Sequence, residues 1–189
     1  LDTILDLSKT HNKNILILGS ARSGTHALGS QLSKLSPGME YLGEICRVDH
    51  RMSPWEEINV LNNTDPLKIA HIVSYSSKLR LTGQANEIKK TSILINLLRQ
   101  NKVEQFASYM YFHATGGVNG SGWHNHQVEH MNIEPGGLTA TDQDIDQFIA
   151  EQTVDFFFKP DFDLFYEDLT FDQATVRKNQ YKFYLPEIF

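Results

Sequence analysis

Residues 14–35 combine an apolar run, a loop of small residues and a helical pattern, which together can bind an anion. The apolar run ends at Gly19, and the following loop carries one cation, Arg22, before Gly24. Such a run predicts a buried strand, and a helix is predicted by the spacing of Leu28, Leu32 and Leu35. Because backbone N–H groups of the loop and of the helix N-terminus point at one spot, the segment predicts a phosphate or sulfate site.

The residues after Gly24 restrict which anion the loop can bind. Gly19 and Gly24 have the spacing of the first half of a Walker A loop, G-x-x-x-x-G, which continues with Lys and then Ser or Thr. Thr25 and His26 follow here, so the lysine that reaches the β- and γ-phosphates of a nucleoside triphosphate is absent. The loop therefore disfavours a nucleoside-triphosphate enzyme. A glycine-containing turn with no ligand is the alternative.

The loop sequence Ser-Ala-Arg-Ser-Gly-Thr closely resembles the R-S-G-T loop of the P-loop sulfotransferases, in particular the small bacterial and phage members. In that family the loop binds the 5′-phosphosulfate of 3′-phosphoadenosine-5′-phosphosulfate, PAPS, in a chemistry that needs no metal. The resemblance implies that PAPS is bound here by Ser20, Ala21, Arg22, Ser23, Gly24, Thr25 and His26.

A second segment supports the same resemblance. A predicted strand ends at Arg99, and the helix that follows carries Ser108. In sulfotransferases an Arg and a Ser at this junction hold the 3′-phosphate that distinguishes PAPS from ATP, and the resemblance assigns that role to Arg99 and Ser108. The commonest family spacing puts the Arg at the position of Gln100, one residue later. The alternative is a surface salt bridge for Arg99 and an ordinary helix position for Ser108.

Two C-terminal segments add to this pattern. Residues 165–169, Phe-Tyr-Glu-Asp-Leu, resemble the Y-E-D-L signature of many sulfotransferases, and we interpret them as a strand end whose acids cap nearby backbone donors. Arg177 and Lys178 lie where relatives often direct basic residues to the cofactor, although such a pair is also typical of a solvated helix face.

Sulfuryl transfer needs charge neutralisation and a base. By analogy with phosphoryl transfer, the protein must position both partners and neutralise the transferring and leaving groups, which Arg22 can do. A base must take the proton of the acceptor hydroxyl. Glu44 is the first candidate, because similar bacterial enzymes place a catalytic Glu just past the first helix, and His26 is the second. Glu44 can also be a solvated or capping carboxylate, and His26 can simply pack.

Residues 114–137 predict a loop or lid over the acceptor site. The segment holds six glycines, Pro135 and the string Trp-His-Asn-His, and a loop of this length is usually functional or disordered. We expect the acceptor to be contacted by Trp123, His124 and His126. A metal site formed with His130 is disfavoured, because the spacing H-x-H-x-x-x-H lacks cysteine. The acceptor itself, a carbohydrate or a small molecule, is left open.

The periodicity of the remaining chain predicts an α/β fold with a mostly parallel sheet flanked by helices, and its length fits one domain spanning 1–189. The resemblance implies that this fold is the P-loop sulfotransferase fold. Further strands are expected at 39–46, 68–75, 92–98 and 163–166. Helices are expected at 76–90, 102–113 and 141–158, with a short helix from Asp172. Residues 47–66, with Pro54 and Pro66, are predicted to be mostly irregular.

Composition limits the partners. The 189 residues carry a net charge of −6, which disfavours nucleic acid and anionic membranes as partners. One cysteine, Cys46, excludes an internal disulfide, and no apolar run is long enough for a membrane span, so a cytoplasmic location is expected. Two alternatives stay open, namely a divergent P-loop nucleotide kinase and a nucleotide-binding module without activity.

Overall fold

Five parallel strands form one sheet in the computed structural model, which describes residues 1–46, 52–73, 82–114, 139–152 and 159–169. The order across the sheet is β2-β3-β1-β4-β5, and each neighbouring pair is parallel. The predicted α/β class with a parallel sheet is confirmed. The strands are β1 (Asn14–Gly19), β2 (Glu40–Glu44), β3 (Lys68–Ile72), β4 (Ser92–Leu98) and β5 (Phe162–Phe165).

Helices cover both faces of the sheet. Ile15 and Ile17 of β1 pack with α1 and α2 on one face, whereas Leu16 and Leu18 pack with α3 and α4 on the other. Side chains of β1 thus alternate between two apolar cores, as a central strand requires. The helices in the described residues are α1 (Asp2–His11), α2 (Thr25–Leu35), α3 (Pro54–Asn62), α4 (Ala85–Thr91), α5 (Lys102–Ala114) and α6 (Asp142–Gln152). None of them combines the length and the apolar character needed to cross a bilayer.

The prediction that 47–66 is mostly irregular is wrong for residues 54–62, which form α3, and residues 47–51 lie outside the described residues. The helix begins with a capping box, in which Ser53 Oγ accepts a hydrogen bond from Glu56 N (3.3 Å) and Glu56 Oε2 accepts one from Ser53 N (2.7 Å). Pro54 occupies the first helical position, where its missing N–H costs nothing. The two prolines therefore flank a helix instead of breaking one.

The connections from β1 and β4 leave the sheet in opposite directions. From β1 the chain runs through α2 to β2 at one edge, and from β4 it runs through α5 and α6 to β5 at the other edge. Since ligands of open parallel sheets bind where such connections diverge, at the carboxyl ends of the strands, a crevice is expected between the ends of β1 and β4. The loop at 20–24 and the segment at 99–101 border that crevice.

Candidate functional site

The loop after β1 is a tight turn with two residues in the left-handed region. Arg22 and Gly24 both have left-handed backbone, with φ of 63° and 96°, and Ser23 N donates to Ser20 O (3.1 Å). Gly24 is also the N-cap of α2, and no described side chain caps that helix. A Cβ at Gly24 would collide with the ring of Tyr166, so glycine is required by both φ and space. Loops of this kind direct successive N–H groups toward one point.

Arg22 reaches from the loop to α5. Its Nε donates to Ser108 Oγ (2.9 Å), and its guanidinium lies over the ring of Phe112, 5.3 Å from the centroid. Two residues predicted from separate motifs, 86 positions apart, therefore touch across the crevice. Arg22 and Ser108 can present a guanidinium and a hydroxyl to the same bound anion.

Arg99 contacts the backbone of the same loop. Its Nη1 donates to Arg22 O (3.2 Å), its Nη2 pairs with Glu104 Oε2 (3.0 Å), and its guanidinium stacks on the ring of Tyr166 at 4.9 Å. The side chain is 15% exposed, and Arg99 Nε is buried with no hydrogen-bond acceptor among the described residues. The salt bridge that the sequence analysis gave as the alternative for Arg99 is therefore present, with Glu104. The same guanidinium also donates a hydrogen bond to the loop backbone.

Glu167 caps the start of α5. Its carboxylate accepts hydrogen bonds from Gln100 N (3.0 and 3.1 Å) and Asn101 N (3.0 Å), which confirms the interpretation of this acidic segment as a cap. Burial raises the pKa of Glu167, but these hydrogen bonds and the charge of Arg99 outweigh that effect, so the net pKa is lowered. The β5 end thus fixes both the loop, through Tyr166, and the helix start, through Glu167.

Lys102 is a third cation at this site, and the sequence motifs did not indicate it. Its Nζ donates to Gln105 Oε1 and Gln152 Oε1, both at 3.0 Å. Gln105 Nε2 in turn donates to Ser20 Oγ (2.9 Å) and Ala21 O (2.7 Å), so the ammonium is tied to the loop. Burial lowers the pKa of Lys102; the charge of Glu167 opposes that effect, and the charge of Arg99 adds to it. The sequence signal was a lysine at the first position of the helix that follows β4.

The two base candidates lie on the β2 side of the loop. His26, in the first turn of α2, is exposed, and its Nδ1 lies 3.2 Å from Tyr41 Oη. Glu44 is the last residue of β2 and is half-buried opposite His71 of β3. Tyr41 Oη also lies 3.0 Å from His71 Nδ1. Tyr41 and His71 were absent from the predicted site, because their contact depends on strand pairing that the sequence does not reveal.

Several predicted site residues lie outside the described residues. The predicted lid at 114–137 is among them except for Ala114, which is the last residue of α5. The candidate acceptor-contacting side chains of the lid and the two C-terminal basic residues also lie outside: Trp123, His124, His126, His130, Arg177 and Lys178. Within the described residues, Ser23 is fully buried and its Oγ has no hydrogen-bond partner, and Thr25 is 5% exposed. The described part of the site therefore comprises the loop at 20–24, the β4–α5 junction at 99–101, the residues that follow β5, and His26 with Glu44.

Cations and the two base candidates lie on opposite sides of the loop after β1. Three cations, Arg22, Arg99 and Lys102, border the loop on the β4 side, whereas His26 and Glu44 lie on the opposite side. Comparisons of the chain with protein-family models, with curated proteins and with solved structures found no match. The functional interpretation consequently depends on the residues and their geometry.

Proposed function

We propose that the protein is a sulfotransferase that moves a sulfuryl group from PAPS to a hydroxyl or amine of a carbohydrate or small-molecule acceptor. The contact between Arg22 Nε and Ser108 Oγ (2.9 Å) carries the proposal. It puts the loop that resembles a 5′-phosphosulfate site next to the helix that resembles a 3′-phosphate site. A bisphosphorylated nucleotide needs that juxtaposition, and a nucleoside triphosphate does not.

The donors at the crevice suit two separate phosphate groups. The 5′ group would be held by loop N–H groups and Arg22, and the 3′ group by Arg99 and Ser108. The buried Arg99 Nε, which has no acceptor among the described residues, is a donor such a ligand can satisfy. Arginine forks bind phosphate oxygens through paired hydrogen bonds. Lys102 adds a third positive charge, held by neutral amide oxygens that an anion can replace.

The chain's own contribution to transfer is electrostatic and positional. PAPS supplies an activated sulfuryl group with a good leaving group. Arg22 and the loop N–H groups neutralise charge on the departing phosphate oxygen, in the manner of preorganised donors at other transfer sites. A group on the β2 side, Glu44 or His26, takes the proton of the acceptor. Kinetics of the His26→Asn and Glu44→Gln variants distinguish the two residues.

Calorimetric titration tests the nucleotide preference. The product nucleotide 3′-phosphoadenosine-5′-phosphate (PAP) should bind, AMP should bind more weakly because it lacks the 3′-phosphate, and ATP with magnesium should bind most weakly. AMP is the matched control, since it differs from PAP by that phosphate alone. Tighter binding of ATP with magnesium than of PAP would end the sulfotransferase proposal and favour the kinase alternative.

A transfer assay separates an active enzyme from a binding module. Slow hydrolysis of PAPS to PAP and sulfate is the readout while no acceptor is known, with the Arg22→Ala variant as the control for contaminating activity. Hydrolysis that requires Arg22 supports the proposal. PAP binding without any hydrolysis or transfer to a panel of carbohydrate and small alcohol acceptors would indicate a module that binds the nucleotide but does not react.

A further inference from the structure

The hydroxyl of Tyr41 bridges two imidazole rings beside the loop. It lies 3.0 Å from Nδ1 of His71 and 3.2 Å from Nδ1 of His26. The three rings form a compact group, with centroids 5.7 to 6.0 Å apart. The ring of Tyr41 sits directly on Gly29 of α2, where a Cβ would collide with it. The position of this hydroxyl is thereby fixed by packing as well as by hydrogen bonds.

Tyr41 has a single hydroxyl hydrogen, so the position of the ring hydrogen in one histidine depends on its position in the other. A phenol has one proton to donate and can accept through its lone pairs. Burial raises the pKa of Tyr41 far above its usual value; a hydrogen bond from Ser30 opposes this, and the charge of Glu44 adds to it, so the phenol keeps its proton. Tyr41 can therefore donate to one Nδ1 only, and a hydrogen bond with the other Nδ1 requires that this nitrogen carries a hydrogen and donates to Tyr41. The carbonyl oxygen of His26 lies farther from Tyr41 Oη, at 3.4 Å, and is the third acceptor within reach of the phenol.

The shorter contact favours donation from Tyr41 to His71. Tyr41 Oη lies 3.0 Å from His71 Nδ1 and 3.2 Å from His26 Nδ1, and His71 is 1% exposed on β3, where a neutral imidazole is favoured. This direction puts the hydrogen of neutral His71 on Nε2, which is buried with no hydrogen-bond acceptor among the described residues, and the burial of that N–H opposes it. His26 is exposed and is the ring that can become an imidazolium. An imidazolium carries hydrogen on both nitrogens, so this direction of hydrogen bonding also suits His26 after it gains a proton.

We propose that Tyr41 and His71 are positioning residues that hold neutral His26 with its hydrogen on Nδ1, which makes His26 Nε2 the proton acceptor of the reaction. This inference rests on the proposed function. The acceptor oxygen forms a bond to sulfur, the bond between sulfur and the phosphate oxygen breaks, and PAP leaves with that electron pair. The acceptor proton passes to His26 Nε2 and later to water. Glu44, close enough for its charge to act on Tyr41, balances the resulting imidazolium.

Nitrogen NMR on protein labelled in its histidine rings tests the tautomer without any sulfuryl donor. In the wild-type chain with His26 neutral, hydrogen should be on Nδ1 of His26. Tyr41→Phe removes the acceptor, and His71→Leu turns the Tyr41 proton toward His26, so both variants should move the hydrogen to Nε2. His71→Asn, which keeps an acceptor oxygen near the Nδ1 position, should retain the wild-type tautomer and shows that substitution at this buried site is tolerated.

Hydrogen on Nε2 of His26 in the wild type, or no change in either variant, would overturn the tautomer assignment whether or not the protein transfers sulfuryl groups. Kinetics then test the catalytic role. His26→Asn should lower PAPS turnover by ~10²–10⁴-fold with PAP affinity retained, and Tyr41→Phe by about tenfold or more. Glu44→Gln should lower it by less than about tenfold. A large loss in Glu44→Gln beside near-normal His26→Asn would make Glu44 the base.

Discussion

Arg22 holds a backbone conformation that is costly for a residue with a Cβ, at φ 63°. The surroundings enforce it, because Arg99 Nη1 binds Arg22 O while Arg22 Nε binds Ser108. We expect Arg22→Ala to lower PAP affinity by one to two decades, the usual effect of ~1.5–3 kcal/mol for a hydrogen bond to a charged group, and to abolish turnover. Arg22→Lys is the matched control, since it keeps the charge but lacks the fork. Calorimetric PAP affinity in Arg22→Ala equal to wild type would contradict the assignment.

Arg99 is expected to determine selectivity for the 3′-phosphate. We predict that Arg99→Ala loses most of the preference for PAP over AMP, measured as the ratio of their dissociation constants. Because Arg99 also contacts Arg22 O, the substitution should weaken the binding of both PAP and AMP. This shared loss of affinity does not change the ratio of the two dissociation constants. Gln100→Ala tests the position that the commonest family spacing favours. An unchanged ratio in Arg99→Ala, with a reduced ratio in Gln100→Ala, would shift the role to Gln100.

At the scale of elements, Glu167 secures the start of α5. Its lowered pKa means that the ionised form favours the folded state above the ordinary value of 4.5, and that this contribution is lost as the pH falls through the lowered value. Glu167→Gln should cost ~0.5–2 kcal/mol of unfolding free energy at neutral pH, toward the lower end because the carboxylate is exposed.

Urea denaturation at neutral pH and at acidic pH measures this effect. The difference between wild type and Glu167→Gln should shrink as the pH falls below 4.5. Asp168→Asn removes the neighbouring exposed carboxylate and is the charge-matched control. A stability loss that is independent of pH, or equal in Asp168→Asn, would show that Glu167 does not act as a cap.

Local patterns predicted the elements better than their contacts. The apolar runs of β1, β3 and β4 are unambiguous because central parallel strands are buried on both faces. Helix α3 was missed because its two prolines suggested irregular structure, whereas its capping box indicates a helix start. Helix α1 was not predicted. The His26–Tyr41–His71 contact could not be predicted, since it requires the pairing of β2 with β3 and the bulge between Tyr41 and Gly43.

At the scale of the molecule, charge and topology act in opposite senses. The chain carries a net charge of −6, which repels a polyanionic nucleotide, yet the fold gathers cations from the β1 loop and the β4–α5 junction at the carboxyl ends of two interior strands. The local field at short range exceeds a net charge spread over the surface and screened by salt. A negative net charge is therefore compatible with nucleotide binding at the carboxyl ends of β1 and β4.

Binding across this crevice should stabilise the whole molecule, because loop, α5 and β5 must all be folded to form it. At ~100 times its dissociation constant a ligand adds ~2.7 kcal/mol. For a chain of this length each 1 kcal/mol raises Tm by about 2–4 °C, so PAP should raise Tm by roughly 5–11 °C. Differential scanning calorimetry measures the shift, with ATP plus magnesium as the comparison and Arg22→Ala as the binding-deficient control. An equal rise in Arg22→Ala would place the nucleotide elsewhere on the protein, because Arg22 is the cation that the loop after β1 contributes to the proposed site.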